Sequence, residues 1–119
     1  MQNDTTFSDI AIIHKTYQFY LCLYSTIETI PKKDRYTIGA KCENTALNIL
    51  EMLYEANAKY GQNRLAVLQS VDTKLKILQT LIKALLDIKA IDNKKFLRLS
   101  EPLIEIGKML GGWIKTTKN

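Results

Sequence analysis

His14 is the one histidine in 119 residues, and an imidazole is the side chain best suited to moving a proton near neutral pH or to holding a metal. A di-metal bundle site needs Glu-x-x-His on facing helices, and here alanine stands three residues before His14 and no second histidine exists. His14 therefore reads as a histidine at the edge of a core, its ring hydrogen-bonded. Cys22 and Cys42 lack CxxC spacing, which points to a reducing, cytoplasmic setting and to buried small hydrophobes. A nucleophilic thiolate would need an exposed site beside a cation. Glu51 and Glu55 lie one helical turn apart, as an acid/base pair would, but they fall on an outward face where Glu55 can pair with Lys59 at i+4. The sequence has no GxxxxGK[ST], no GxGxxG after a strand and no GxSxG, so phosphate-loop, dinucleotide and hydrolase chemistry lack their motifs. The expectation is a protein that is not an enzyme, with no catalytic residues, no metal and no cofactor.

Charge is more informative. The chain has 17 Lys and Arg against 12 Asp and Glu, a net charge of +5. Residues 1–61 hold six cations and seven acids, and residues 62–119 hold eleven and five, so the excess lies wholly in the second half. Lys76 and Lys83 are seven residues apart on one stripe, and Lys94, Lys108 and Lys115 share an outward heptad position with Arg98 alongside. Such a surface attracts polyanions by Coulomb steering and counterion release without reading sequence. Lys76, Lys83, Lys94, Arg98, Lys108 and Lys115 are the candidate nucleic-acid-binding residues, on one continuous basic strip.

These side chains need helices to carry them. With five glycines and two prolines the chain is poor in turn formers, and four segments show apolar residues at alternating steps of three and four. They read Ile10, Ile13, Tyr17, Tyr20, Tyr24, Ile27; then Cys42, Ala46, Ile49, Leu53, Ala56, Tyr60; then Leu68, Val71, Leu75, Leu78, Ile82, Leu85; then Phe96, Leu99, Leu103, Ile106, Leu110, Trp113. This spacing belongs to helices packed nearly antiparallel at small crossing angles. Pro31, Gly61 with Asn63, and Ile91-Asp92-Asn93 punctuate the segments, and Asp34 stands where an N-cap for the second would be. The helices are expected over 8–29, 35–60, 64–90 and 94–116, each about 35 to 40 Å long. Short connections make sequential helices antiparallel neighbours. The prediction is all-α: an antiparallel up-down-up-down four-helix bundle, one domain over 1–119 with 1–7 a flexible N-terminal segment.

Pro102 inside the fourth helix should bend it without breaking it, since Leu99 and Leu103 keep their register across it. Gly111 and Gly112 would then lie within a helix that continues to Trp113, leaving room for another backbone. Apolar residues also fall off the stripes: Ile12, Phe19 and Leu23, then Leu47, Leu50 and Tyr54, then Leu81 and Ile88. Faces this broad exceed one core and predict self-association. No apolar run approaches the roughly 18 residues of a membrane span, and the first residues do not resemble a secretory signal. No membrane partner is expected.

The stretch Ile30-Pro31-Lys32-Lys33-Asp34-Arg35-Tyr36-Thr37-Ile38-Gly39 and the tail Glu105-Ile106-Gly107-Lys108-Met109-Leu110-Gly111-Gly112-Trp113-Ile114-Lys115 resemble the four-helix accessory variability determinant (Avd) proteins of diversity-generating retroelements. The likeness covers essentially the whole chain in length and helix order. The ribosomal intervening-sequence proteins share the Pro-Lys-x-x-Arg-Tyr start of the second helix, but their Ser-Ile-Pro-x-Asn-Ile-Ala-Glu-Gly stretch is replaced here by Leu47-Asn48-Ile49-Leu50-Glu51-Met52. The resemblance to Avd implies a non-enzymatic partner of a retroelement reverse transcriptase that also binds template RNA, assembles as a homopentameric ring with a positive surface, and assists mutagenic cDNA synthesis. The alternative reading is a self-associating protein of the intervening-sequence type with an unknown partner.

Overall fold

A computed structural model describes the backbone of residues 7–119 and the side chains of residues 11–119. The apolar stripes become long rods: α1 (Phe7–Ile27), a second rod in three parts comprising α2 (Lys32–Asp34), a wider π turn (Arg35–Gly39) and α3 (Ala40–Asn57), then α4 (Gly61–Asp87) and α5 (Asn93–Lys118). Each rod packs on its sequence neighbours, and α1 closes the circle against α5. The result is the expected all-α up-down-up-down bundle, 49 Å long and 20 to 22 Å across, with no strand among the described residues.

Three of the four stripes are buried as the spacing predicts. Cys42, Ala46, Ile49, Leu53 and Ala56 of α3, Leu68 through Leu85 of α4, and Leu99, Leu103, Ile106, Leu110 and Trp113 of α5 form one core. Tyr60 is exposed because α3 stops at Asn57, one turn before it.

The register of α1 differs from the expectation. Its buried residues are Ile12, Thr16, Phe19, Leu23, Thr26 and Ile27; of the expected stripe Ile27 is buried and Ile13 and Tyr20 pack partly against the core, while Tyr17 and Tyr24 are each 49% exposed. Threonine reads as polar in a sequence, yet the Thr16 hydroxyl donates to the Ile12 carbonyl at 2.8 Å and the Thr26 hydroxyl to the Cys22 carbonyl at 2.9 Å. A hydroxyl satisfied one turn back on its own helix can enter a core, leaving a methyl to pack. Ile12, Phe19 and Leu23, expected on an outer face, are therefore core residues. The side chain of Ile10 and the expectation for residues 1–6 lie outside the described residues, and Phe7 already belongs to α1.

The helix ends also shift. Asp34 makes no side-chain cap; Pro31 precedes the helix, whose start is held by the Arg35 guanidinium donating to the Ile30 carbonyl at 3.2 Å. Gly39 ends the π turn with no room for a side chain: a Cβ there would stand 3.0 Å from the Asp34 carbonyl oxygen and 3.2 Å from Ile27 and Ile30. Gly61 does not close the second rod but opens α4, at φ +54°. α4 ends at Asp87, before Ala90, and Lys89 adopts φ +63°. The Lys89 amide donates to the Leu86 carbonyl and the Ala90 amide to the Leu85 carbonyl, which together are a Schellman cap with lysine in the left-handed position glycine favours. Asp92 then caps α5, accepting from the Lys95 amide at 2.9 Å. α5 runs unbroken through Pro102 and through Gly111-Gly112 to Lys118. A Cβ on either glycine would meet nothing within 4 Å among the described residues, so no described backbone approaches there.

Candidate nucleic-acid interface

Gly107 of α5 lies against Leu75 of α4, a Cβ there being 3.6 Å from Leu75 Cδ2, and this contact fixes how the two antiparallel helices slide. Lys108 consequently lies level with Lys76, and Lys83, two turns along α4, lies level with Arg98. All six candidate cations are exposed. They are not one continuous strip. The outward stripe of α5 reads Lys94, Arg98, Glu101, Glu105, Lys108, Gly112, Lys115, so two carboxylates separate its ends by about 15 Å between Arg98 and Lys108. Lys83 and Lys94 lie towards one end and Lys76, Lys108 and Lys115 towards the other, while Arg98, seven residues before Glu105, shares that acid's stripe on the α1 flank and is not brought to Lys83.

The cations also differ in what surrounds them. Lys76 pairs with Asp72 at 2.9 Å and Lys83 with Asp87 at 2.6 Å, both one turn along the same helix. Such exposed pairs contribute little to the fold, but each offsets the charge that its lysine offers to a polyanion. Among the described residues, Lys94, Arg98, Lys108 and Lys115 have no carboxylate within 4 Å. Lys15 of α1 takes Glu105 at 2.8 Å, which turns that acid away from the α4 side.

The residues that could have carried chemistry are dispersed. His14 is exposed, not at a core edge, and opens a shallow groove of about 270 Å³ with Ile13, Tyr17, Leu50 and Tyr54. Cys42 is buried, and its thiol is pushed up to about 12 by that burial and secondarily by Glu43. A thiol this reluctant to ionise is a packing residue. Cys22 is half-buried, and Glu55 pairs with Lys59 at 2.9 Å as its spacing predicts. Among the described residues no group of three or more His, Cys, Asp or Glu could hold a metal ion, and no helix is long and apolar enough to cross a membrane.

Sequence reasoning finds the α3 half of the side where α1 meets α3, since Leu47, Leu50 and Tyr54 fall off the stripe, but it misses the α1 half. Tyr20 and Tyr24 stack obliquely there, 6.3 Å apart, beside Glu43. Burial and then the neighbouring Glu28 hold the Glu43 carboxyl above its ordinary range, and burial and then Glu43 and Tyr24 raise the Tyr20 phenol. The signal was present as five aromatic residues between Tyr17 and Tyr36, but the wrong register assigned Tyr17 and Tyr24 to the core.

At the far end of the bundle Arg64 joins three elements. Its Nε donates to the Ala56 carbonyl at 3.0 Å, and its guanidinium lies 5.6 Å from the ring centres of both Tyr60 and Trp113. The conspicuous Gly-Gly-Trp tail is thus read by the structure as two open glycines followed by a buried anchor.

No curated protein matches the sequence. The bAvd-like family matches residues 10–117, nearly the whole of the bundle, from the first described side chains to the last turn of α5. With the four-helix architecture and the tail motif on the rod where the resemblance requires them, the chain belongs to the bAvd-like family and is an Avd-type protein.

Proposed function

We propose that this protein is the accessory subunit of a diversity-generating retroelement, binding its reverse transcriptase and template RNA and assisting mutagenic cDNA synthesis without catalysing it. The observation that carries the reading is the family match over residues 10–117 combined with a second half whose charge excess is displayed on exposed cations of α4 and α5. Exposed lysines and arginine hold phosphates through charge, and four of the six candidates have no carboxylate within 4 Å among the described residues, so contact with RNA is electrostatic and tolerant of sequence. The protein acts as a homo-oligomer, a pentameric ring in the family's manner, which multiplies the basic surface on one RNA. Its place of action is the cytoplasm.

The test is co-purification of the full chain with the reverse transcriptase encoded beside it, with and without RNase. Retention of the enzyme after RNase indicates direct contact, and retention only before RNase indicates a link through RNA. Loss of both, or absence of a reverse-transcriptase gene with paired template and variable repeats nearby, overturns the reading.

A further inference from the structure

The fold uses only part of the motif Pro31-Lys32-Lys33-Asp34-Arg35-Tyr36 that opens the second rod. Pro31 precedes α2, and the Arg35 guanidinium donates to the carbonyl of buried Ile30. Lys32, Lys33 and Tyr36 make no such contact. All three are exposed, and Tyr36, at 70%, is the most exposed large apolar or aromatic side chain among the described residues. The turn that carries it is packed beneath: Gly39 lies against the Asp34 carbonyl, Ile27 and Ile30, and the Thr37 hydroxyl donates to the Lys33 carbonyl at 3.0 Å. Lys32 and Lys33 stand four and three residues before Tyr36, one turn along the same face.

A second pair of lysines reaches this end of the bundle from the α4–α5 connection. Asp92 accepts from the Lys95 amide, and the Lys95 ammonium donates across the bundle to the Thr29 hydroxyl at 3.0 Å. Thr29 is three residues before Lys32, a span of at most about 11 Å, so Lys95 and Lys94 stand beside the Pro31 turn. An ammonium has three donors, and Lys95 keeps two beyond the one on Thr29. Among the described residues Lys32, Lys33, Lys89, Lys94 and Lys95 have no carboxylate within 4 Å. Of the acids at this end, Asp87 pairs with Lys83 and Asp92 caps α5, which leaves Glu28 and Asp34 against five lysines.

An exposed aromatic ring beside uncompensated cations suits an unpaired nucleobase, whose face lies on the ring while the ammonium groups take the phosphates on either side. A duplex keeps its base faces inside its own stack and offers such a turn phosphates alone. α4 and α5 have exposed cations but no exposed aromatic ring, so they cannot make this distinction. We propose that the end of the bundle formed by the α1–α2 and α4–α5 connections is a single-strand nucleic-acid site, in which Tyr36 stacks an unpaired base and Lys32, Lys33 and Lys95 hold the adjoining phosphates. The proposal rests on the reading that the protein binds template RNA, and it adds a preference for unpaired strand that phosphate contacts on α4 and α5 do not give.

Fluorescence anisotropy of the full chain with a labelled oligouridine, and with an RNA duplex of the same length, tests it. Tyr36→Ala should weaken binding of the single strand roughly 5- to 100-fold and leave the duplex unchanged. Tyr36→Phe keeps the ring and should bind like the parent. Lys32→Gln with Lys33→Gln should weaken both forms and lower the salt slope for the single strand by roughly 1.4. An unaltered urea midpoint for Tyr36→Ala shows that the fold is intact. Equal losses for single strand and duplex, a Tyr36→Ala or double-lysine variant that binds like the parent, or a Tyr36→Phe as weak as the alanine variant overturns the proposal. Unchanged binding with a lower mass in light scattering also overturns it, by assigning Tyr36 to a contact between proteins. A parent that binds neither RNA overturns the template-binding reading together with this site, whereas a parent that binds both, with the single strand insensitive to position 36, overturns this site alone.

Discussion

The α1–α3 side and the α4–α5 side of the bundle rest on the same core but present different chemistry. The first exposes tyrosines and leucines around Glu28 and Glu43, which have no cation within 4 Å among the described residues; the second exposes lysines, some offset by acids on their own helix. Apolar area gains from being covered and depends little on salt, while an array of exposed cations gains from a polyanion and loses that gain as salt rises. The exposed large apolar side chains are spread over both halves, with Ile77, Ile88, Leu97 and Ile104 in the second, whereas the excess of cations lies in residues 62–119 alone.

Salt gives the largest expected difference between the two sides. With Lys94, Arg98, Lys108 and Lys115 on phosphates, RNA affinity of a single chain should fall about a hundredfold between 50 and 200 mM salt, and more steeply when several subunits engage one RNA. Replacing Lys108 and Lys115 by glutamine should flatten the slope of log affinity against log salt by roughly 1.5. Replacing Lys76 and Lys83 by glutamine should change it less, since Asp72 and Asp87 already offset them. Filter binding with two unrelated RNAs at several salt concentrations measures this. Equal effects of the two pairs would show that the intrahelical acids do not matter, and no effect of either would remove this side from the interface.

Trp113 and Tyr54 separate fold from surface. Trp113 is 7% exposed at the end of α5 with the Arg64 guanidinium over its ring, and Trp113→Ala should cost about 3 to 5 kcal/mol in urea unfolding. Tyr54 is 60% exposed, and Tyr54→Ala should change stability by less than about 0.5 kcal/mol while weakening assembly. A destabilisation of Tyr54→Ala comparable to that of Trp113→Ala would mean that the α1–α3 side is core in the assembled protein.

Three stripes were legible because leucine and isoleucine at alternating steps of three and four leave one solution for which face goes inward. α5 was read to its end, through Pro102 and two glycines, since Leu99, Leu103, Ile106, Leu110 and Trp113 outweigh the local cost of the breakers. The ends were less legible. Lys89 in the left-handed position is set by the two Schellman hydrogen bonds and by Ile91 being drawn into the core, neither of which a lysine advertises. Lys89→Gly should relieve that conformation and raise stability by about 0.5 to 1 kcal/mol, read as a higher urea midpoint at unchanged m-value. A fall in stability would show that the lysine side chain contributes more than its backbone costs. The candidate cations were legible as residues but not as an arrangement, because Glu101 and Glu105 interrupt the stripe and the lateral ion pairs form only once the helices exist.

The smallest expected effect bears on why α1 was misread. Thr16 occupies a core position, 2% exposed, with its hydroxyl donating to the Ile12 carbonyl. That carbonyl already accepts the ordinary helical amide bond one turn on, so removing the hydroxyl leaves no buried group unsatisfied. Valine keeps the branched shape and replaces a hydroxyl with a methyl that finds Phe19 and Leu23 in the same stripe. Thr16→Val should therefore alter stability by less than about 1 kcal/mol, in the stabilising direction if the methyl packs. The same substitution at Tyr17, one residue along and on the exposed side, should leave the fold unchanged and lower the assembly mass. Urea unfolding and light scattering on the two variants decide the register directly: a large loss at position 16 with none of the expected dispersal at 17 would return the tyrosines to the core and remove the contrast between the two sides.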